Sequence, residues 1–181
     1  MKKERLTAFL PYVGIPVIGA IFLIICASRM DLFNILLCEL IIIFGYIASV
    51  SDINTKKIPN ILVLSMLIAW TIAVIPKLIF DTDTAVEVLK NSVLGLLVGG
   101  GLFLLVYLIS RKGMGGGDVK FMAVTGLYIG FTGILSAMLY GSVLAALVGL
   151  VLLLAKKIGR KGTIPLAPFL YTGILITVFY M

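Results

Sequence analysis

The chain has 181 residues, 61% of them hydrophobic and 13% charged, more apolar surface than a soluble domain of this size can bury. Its net charge of +7 comes from Lys and Arg clustered beside apolar runs rather than along one helix face, which argues against nucleic acid as a partner and for a bilayer. There is no histidine, and Cys26 and Cys38 both lie inside apolar runs, so neither a disulfide framework nor a structural zinc site is expected; the paired-acid chemistry read below requires no metal or organic cofactor.

About 20 apolar residues cross a hydrocarbon core of about 30 Å, and residues 9–27, 32–50, 61–80 and 93–109 each come close to that. The first run follows Met1-Lys2-Lys3-Glu4-Arg5 and superficially resembles a signal peptide. No small-x-small cleavage site follows it and it is long enough to span, so a retained helix is expected. Residues 121–155 are continuously apolar, but one straight helix at about 1.5 Å per residue overshoots the core. A turn is expected near 130–133 or at 141–142. Residues 164–181 form the last run.

This reads as an all-α, polytopic transmembrane helical bundle of about seven spans, a single domain over 1–181; six spans with a re-entrant segment is the alternative. With the N-terminus cytoplasmic, Lys2, Lys3, Arg5, Lys56, Lys57, Arg111, Lys112, Lys120, Lys156, Lys157, Arg160 and Lys161 fall inside and only Arg29, Lys77 and Lys90 outside, the expected positive-inside bias. The outside connection at 81–90 is expected to form a short amphipathic helix on the surface.

Three polar breaks interrupt the apolar runs. The first is Ser51-Asp52-Ile53-Asn54-Thr55-Lys56-Lys57-Ile58-Pro59-Asn60, the second Gly113-Met114-Gly115-Gly116-Gly117-Asp118-Val119-Lys120, and the third Ile164-Pro165-Leu166-Ala167-Pro168-Phe169. In the topology above Asp52 follows span two and Asp118 precedes span five, so both acids reach one membrane face. Two carboxylates held close do not both ionise, so one keeps a proton while the other polarises water, the working arrangement of aspartic proteases. No histidine is present, and no Ser or Cys sits in a recognisable nucleophile setting. Glycines before the acid let a substrate strand approach it. Each feature also has a plainer reading: Asp118 as the N-cap of a helix beginning near Val119, Asp52 as a solvated loop acid balanced by Lys56 and Lys57, and Gly115-Gly116-Gly117 as a flexible connector. Pro59 and Asn60 read as a helix restart, and Pro165 and Pro168 as a cleft wall or a simple kink.

Asp52 with Ile58-Pro59-Asn60, the GxGD element Gly115-Gly116-Gly117-Asp118 with Lys120, and the Ile164–Phe169 stretch together resemble the type IV prepilin peptidase family of membrane aspartic proteases. The resemblance covers most of the chain from about Leu32 onward. It implies an endopeptidase of the cytoplasmic membrane that removes the short basic leader of prepilin-like precursors at the cytoplasmic face, with Asp52 and Asp118 catalytic. It also implies that Lys120 is the motif lysine beside the second acid, its cation favouring the ionised partner of the dyad. Larger members carry an inserted domain after the first span, associated with N-methylation. Here 29–31 is the whole connection, so peptidase without methyltransferase is expected.

Glu39 lies within the second span, where an acid is costly enough to be a functional candidate; it either pairs with a neighbouring helix or faces a cleft near the dyad. The alternative to an enzyme is a non-enzymatic membrane transport or assembly component whose aspartates cap helices or bind ions. A presenilin-type protease is disfavoured, because its Tyr-Asp pair and Pro-Ala-Leu element are missing.

Overall fold

A computed structural model of the chain describes residues 14–26, 28–110, 114–157 and 164–181. These residues form six helices: α1 (Gly14–Cys26), α2 (Leu32–Thr55), α3 (Asn60–Phe80), α4 (Thr82–Ile109), α5 (Gly116–Leu154) and α6 (Ala167–Tyr180). No strand occurs among the described residues. Helices α2, α3, α4 and α5 are long and apolar enough to cross a membrane, and α1 and α6 are shorter apolar helices. The N-terminal basic cluster, the start of the 9–27 run, Arg111, Lys112, Gly113, Arg160 and Lys161 lie outside the described residues.

Helix α5 is not one rod. Gly130 has φ 67° and ψ −172°, a backbone region that is essentially open to glycine alone. A Cβ built on Gly99 of α4 would lie 2.5 Å from the Met122 carbonyl and 2.9 Å from Ile134 Cγ1, yet unbroken helix would separate Met122 from Ile134 by about 18 Å. The chain therefore doubles back, at the first of the two places expected. The arm before the break runs antiparallel to α4, Gly126 pressing backbone to backbone on Gly95, and the arm after it runs antiparallel to α6, with Ala137 and Gly141 against Gly173. Small residues at such crossings let helices approach where no water drives them together. The break is closed from α4: Asn91 Oδ1 accepts the Phe131 N–H at 3.0 Å, an otherwise free donor at the start of the second arm.

The segment 81–90 differs from expectation. It is no separate surface helix: α4 begins at Thr82 and continues unbroken to Ile109, and Asp81 alone turns the chain from α3. The Asp81 carboxylate takes the Thr84 hydroxyl, and Asp83 sits in the first turn, where acids favour the positive end of a helix. These charges start a helix rather than interrupt one.

The core gathers Phe22 of α1, Ile41 and Ile42 of α2, Met66 of α3, Phe121, Met122 and Ile134 of α5, and Leu170, Ile174 and Val178 of α6, all fully buried. The Tyr128 hydroxyl, from the first arm of α5, donates to the Met66 carbonyl at 2.5 Å.

Candidate active site

Asp52 belongs to the last turn of α2, not to a loop, and it is 6% exposed. This corrects the solvated-acid reading. The helix ends just beyond it, where Lys56 takes a left-handed conformation (φ 53°) and its N–H bonds the Asp52 carbonyl at 2.8 Å. Ser51 Oγ and Thr55 Oγ1 both donate to the Lys57 carbonyl, at 3.0 and 3.2 Å, and so pin the descending chain.

The Asp52 side chain reaches the third polar stretch. Its Oδ2 accepts the backbone N–H of Ala167 at 3.0 Å in a buried contact, and Ser49 Oγ donates to the Ala167 carbonyl at 3.4 Å. Ala167 is the first residue of α6 and Pro168 the second. A helix start leaves its first N–H groups free, and Pro168 has none to satisfy. Pro165 and Pro168 thus frame a helix N-terminus whose free donor points at Asp52. Proline in a first turn marks in the sequence where a helix begins, but not which group meets its free donor.

Asp118 is 8% exposed. It is not the N-cap of α5: the helix begins at Gly116 with Gly115 as N-cap, which puts Asp118 in the third helical position. From there its carboxylate turns back towards the backbone of Gly115, in the manner of the acidic member of a capping box. Its Oδ1 is buried and has no hydrogen-bond partner among the described residues. The two carboxylates, 66 positions apart, lie within coulombic reach of each other. Three polar stretches therefore meet at one end of the bundle.

The first and second stretches are also joined directly. A Cβ on Gly117 would stand 3.1 Å from Ile58 Cβ and 3.3 Å from the Ile58 carbonyl, so the first turn of α5 rests on the backbone before Pro59. Pro59 is the N-cap of α3, and Asn60 its first residue. Asn60 does not cap. Its Oδ1 accepts from Lys120 Nζ at 3.0 Å. Lys120 therefore points to Asn60 rather than to Asp118, because residues two apart on a helix do not face each other. Gly116 has open space around it.

Glu39 is not brought to the acids. It stands thirteen residues before Asp52 on α2, about 20 Å along the axis. Its Oε2 lies where a Cβ on Gly19 of α1 would come within 2.8 Å, and its Oε1 is buried without a partner. Among the described residues no group of His, Cys, Asp and Glu is placed to hold a metal.

A profile of the type IV leader peptidase family matches residues 39–150. Three curated relatives share the name prepilin leader peptidase/N-methyltransferase. The protein of Bacillus subtilis is 27% identical over 134 residues, covering 74% of this chain and 51% of the relative. That of Xanthomonas campestris is 30% identical over 134 residues, covering 71% and 44%, and that of Legionella pneumophila 31% identical over 130 residues, with the same coverage. The chain spans about half the length of these relatives. No solved structure matches significantly. Since the matched residues make up more than half of the chain and enclose both Asp52 and Asp118, the chain belongs to the type IV leader peptidase family.

Proposed function

We propose that this protein is a membrane aspartic endopeptidase that removes the basic leader from type IV prepilin-like precursors at the cytoplasmic membrane face. The observation that carries the proposal is the burial of Asp52 and Asp118, from helices distant in sequence, within coulombic reach of each other. One carboxyl of such a pair holds a proton while the other takes one from water. The water attacks the scissile carbonyl, the protonated acid stabilises the developing oxyanion, and the proton passes to the leaving amine. Asp118 Oδ1, free of protein partners, is suited to meet water or substrate. Asp52, with Oδ2 held by Ala167, keeps its other oxygen for the reaction. The mechanism requires no metal or cofactor.

The membrane face follows from the Lys and Arg distribution, and the reversal at Gly130 supports seven spans with a cytoplasmic N-terminus. Five residues join α1 to α2, leaving no space between them for an inserted domain, so methyl transfer is not part of the proposed activity.

The test is cleavage of a tagged prepilin-like precursor in membranes containing the wild type, Asp52→Asn or Asp118→Asn, each checked for expression. Loss of cleavage in both variants is expected; near wild-type cleavage by either removes that acid from the chemistry. A second reading, a transport or assembly component, draws on one observation: Asp52 already serves as the cap of α6. Asparagine keeps that cap, so the same experiment separates the two.

A further inference from the structure

We propose that Lys120 and Asn60 are positioning residues, a latch that holds the first turn of α5 on the chain leading from Asp52 and so sets the separation of the two acids. The inference rests on the peptidase reading and deepens it. A dyad that shares one proton works only at a fixed separation of its two carboxyls, so something in the fold has to set that separation. Asp52 spends its visible hydrogen bond on α6, and Asp118 turns back to its own N-cap. Neither holds the other.

The tie comes from the residues flanking Asp118. Gly117, just before it, rests on Ile58, and Lys120, two residues after it, donates to Asn60 at 3.0 Å. Gly117 and Lys120 are three positions apart and share a helix face, and that face meets Ile58-Pro59-Asn60. Ile58 is buried, whereas Lys120 and Asn60 are exposed. An exposed hydrogen bond adds little to the stability of a fold. Its value here is geometric, because a small misplacement of a catalytic group costs far more in rate than in stability.

The test is steady-state cleavage of a tagged prepilin-like precursor by Asn60→Ala, Lys120→Ala, the double variant, Asn60→Asp and Lys120→Arg, with Asp52→Asn as an inactive control. Each alanine variant is expected to lower kcat by about tenfold or more, with KM and melting temperature little changed. The double variant falls no further than the singles, because both remove one interaction. Asn60→Asp and Lys120→Arg, which keep acceptor and donor, restore most of the rate. Wild-type kcat in Asn60→Ala overturns the latch. So does an inactive Lys120→Ala beside an active Asn60→Ala, since Lys120 then acts on substrate by itself. Hydrogen exchange at the amides of 115–121 reads the latch without catalysis: it speeds up in Asn60→Ala and returns to wild type in Asn60→Asp. Cleavage by the Asp52→Asn control removes Asp52 from the chemistry and with it the dyad reading, while the exchange rates still decide the latch; unchanged exchange in Asn60→Ala overturns it.

Discussion

The Oδ2 atom of Asp52 accepts the backbone N–H of Ala167 at 3.0 Å across 115 positions of sequence, so one acid of the candidate site is also the N-terminal cap of α6. The arrangement places a carboxylate at the positive end of a helix and gives the first N–H of α6 a partner in a buried setting. It also ties α2 to the second arm of α5, because α6 packs on that arm through Gly173.

Replacing Asp52 separates the cap from the acid. Asp52→Asn keeps an oxygen for Ala167 and is expected to melt close to wild type while losing cleavage. Asp52→Ala leaves a buried N–H unpaired, a loss of about 1–3 kcal/mol. Thermal unfolding of both variants in detergent decides the point: equal melting temperatures mean the cap contributes nothing.

The glycine run carries a graded prediction. Gly117→Ala puts a Cβ 3.1 Å from Ile58 Cβ, pushes the first turn of α5 off the chain before Pro59, and is expected to lower cleavage by about tenfold or more. Gly115→Ala meets Asp118 Oδ2 at 2.9 Å and falls between. Gly116→Ala meets nothing within 4 Å and is the mildest, with a gain in helix stability of up to about 0.5–1 kcal/mol. Cleavage rates in any other order place the constraint elsewhere than at Ile58.

These contrasts mark what could be read before the fold was known. Apolar runs and basic loops carried the helices and the shared face of Asp52 and Asp118, since both signals are set by composition alone. What sequence could not carry was the start of each helix to within a residue or two. Moving the start of α5 from Val119 to Gly116 turns Asp118 from a cap into a residue of the first turn, and swings Lys120 away from it. The charges of 81–90 looked like a connection with a short surface helix of its own, because polarity is shared by such connections and by the exposed first turns of long helices. The Asp52–Ala167 bond needed tertiary structure, because a backbone donor leaves no trace in side-chain identity.

Gly130 tests the reversal. With φ 67° and ψ −172°, Gly130→Ala carries strain of about 1–3 kcal/mol, and its Cβ runs into the Asn91 amide. Asn91→Ala instead leaves the Phe131 N–H without its partner. Both variants damage one joint, so the double variant is expected to lose less than the sum of the singles. Thermal unfolding measures this, and full additivity would show that Asn91 and Gly130 act independently.

Glu39 provides the contrasting case of an acid within a span but away from the site. About 20 Å of helix separate it from Asp52, its Oε2 faces Gly19 of α1, and its Oε1 has no partner. An acid at membrane depth is costly wherever chemistry does not require it. Glu39→Gln keeps the size, removes the acid, and is therefore expected to preserve cleavage while leaving the melting temperature equal or higher. Gly19→Ala, which thrusts a methyl group to 2.8 Å from Oε2, is expected to lower stability in the wild type, and no less when combined with Glu39→Gln, because the clash is steric and glutamine fills the same space. A fall in kcat of more than about threefold in Glu39→Gln, with unfolding unchanged, would sink this account and tie Glu39 to the reaction through the bundle.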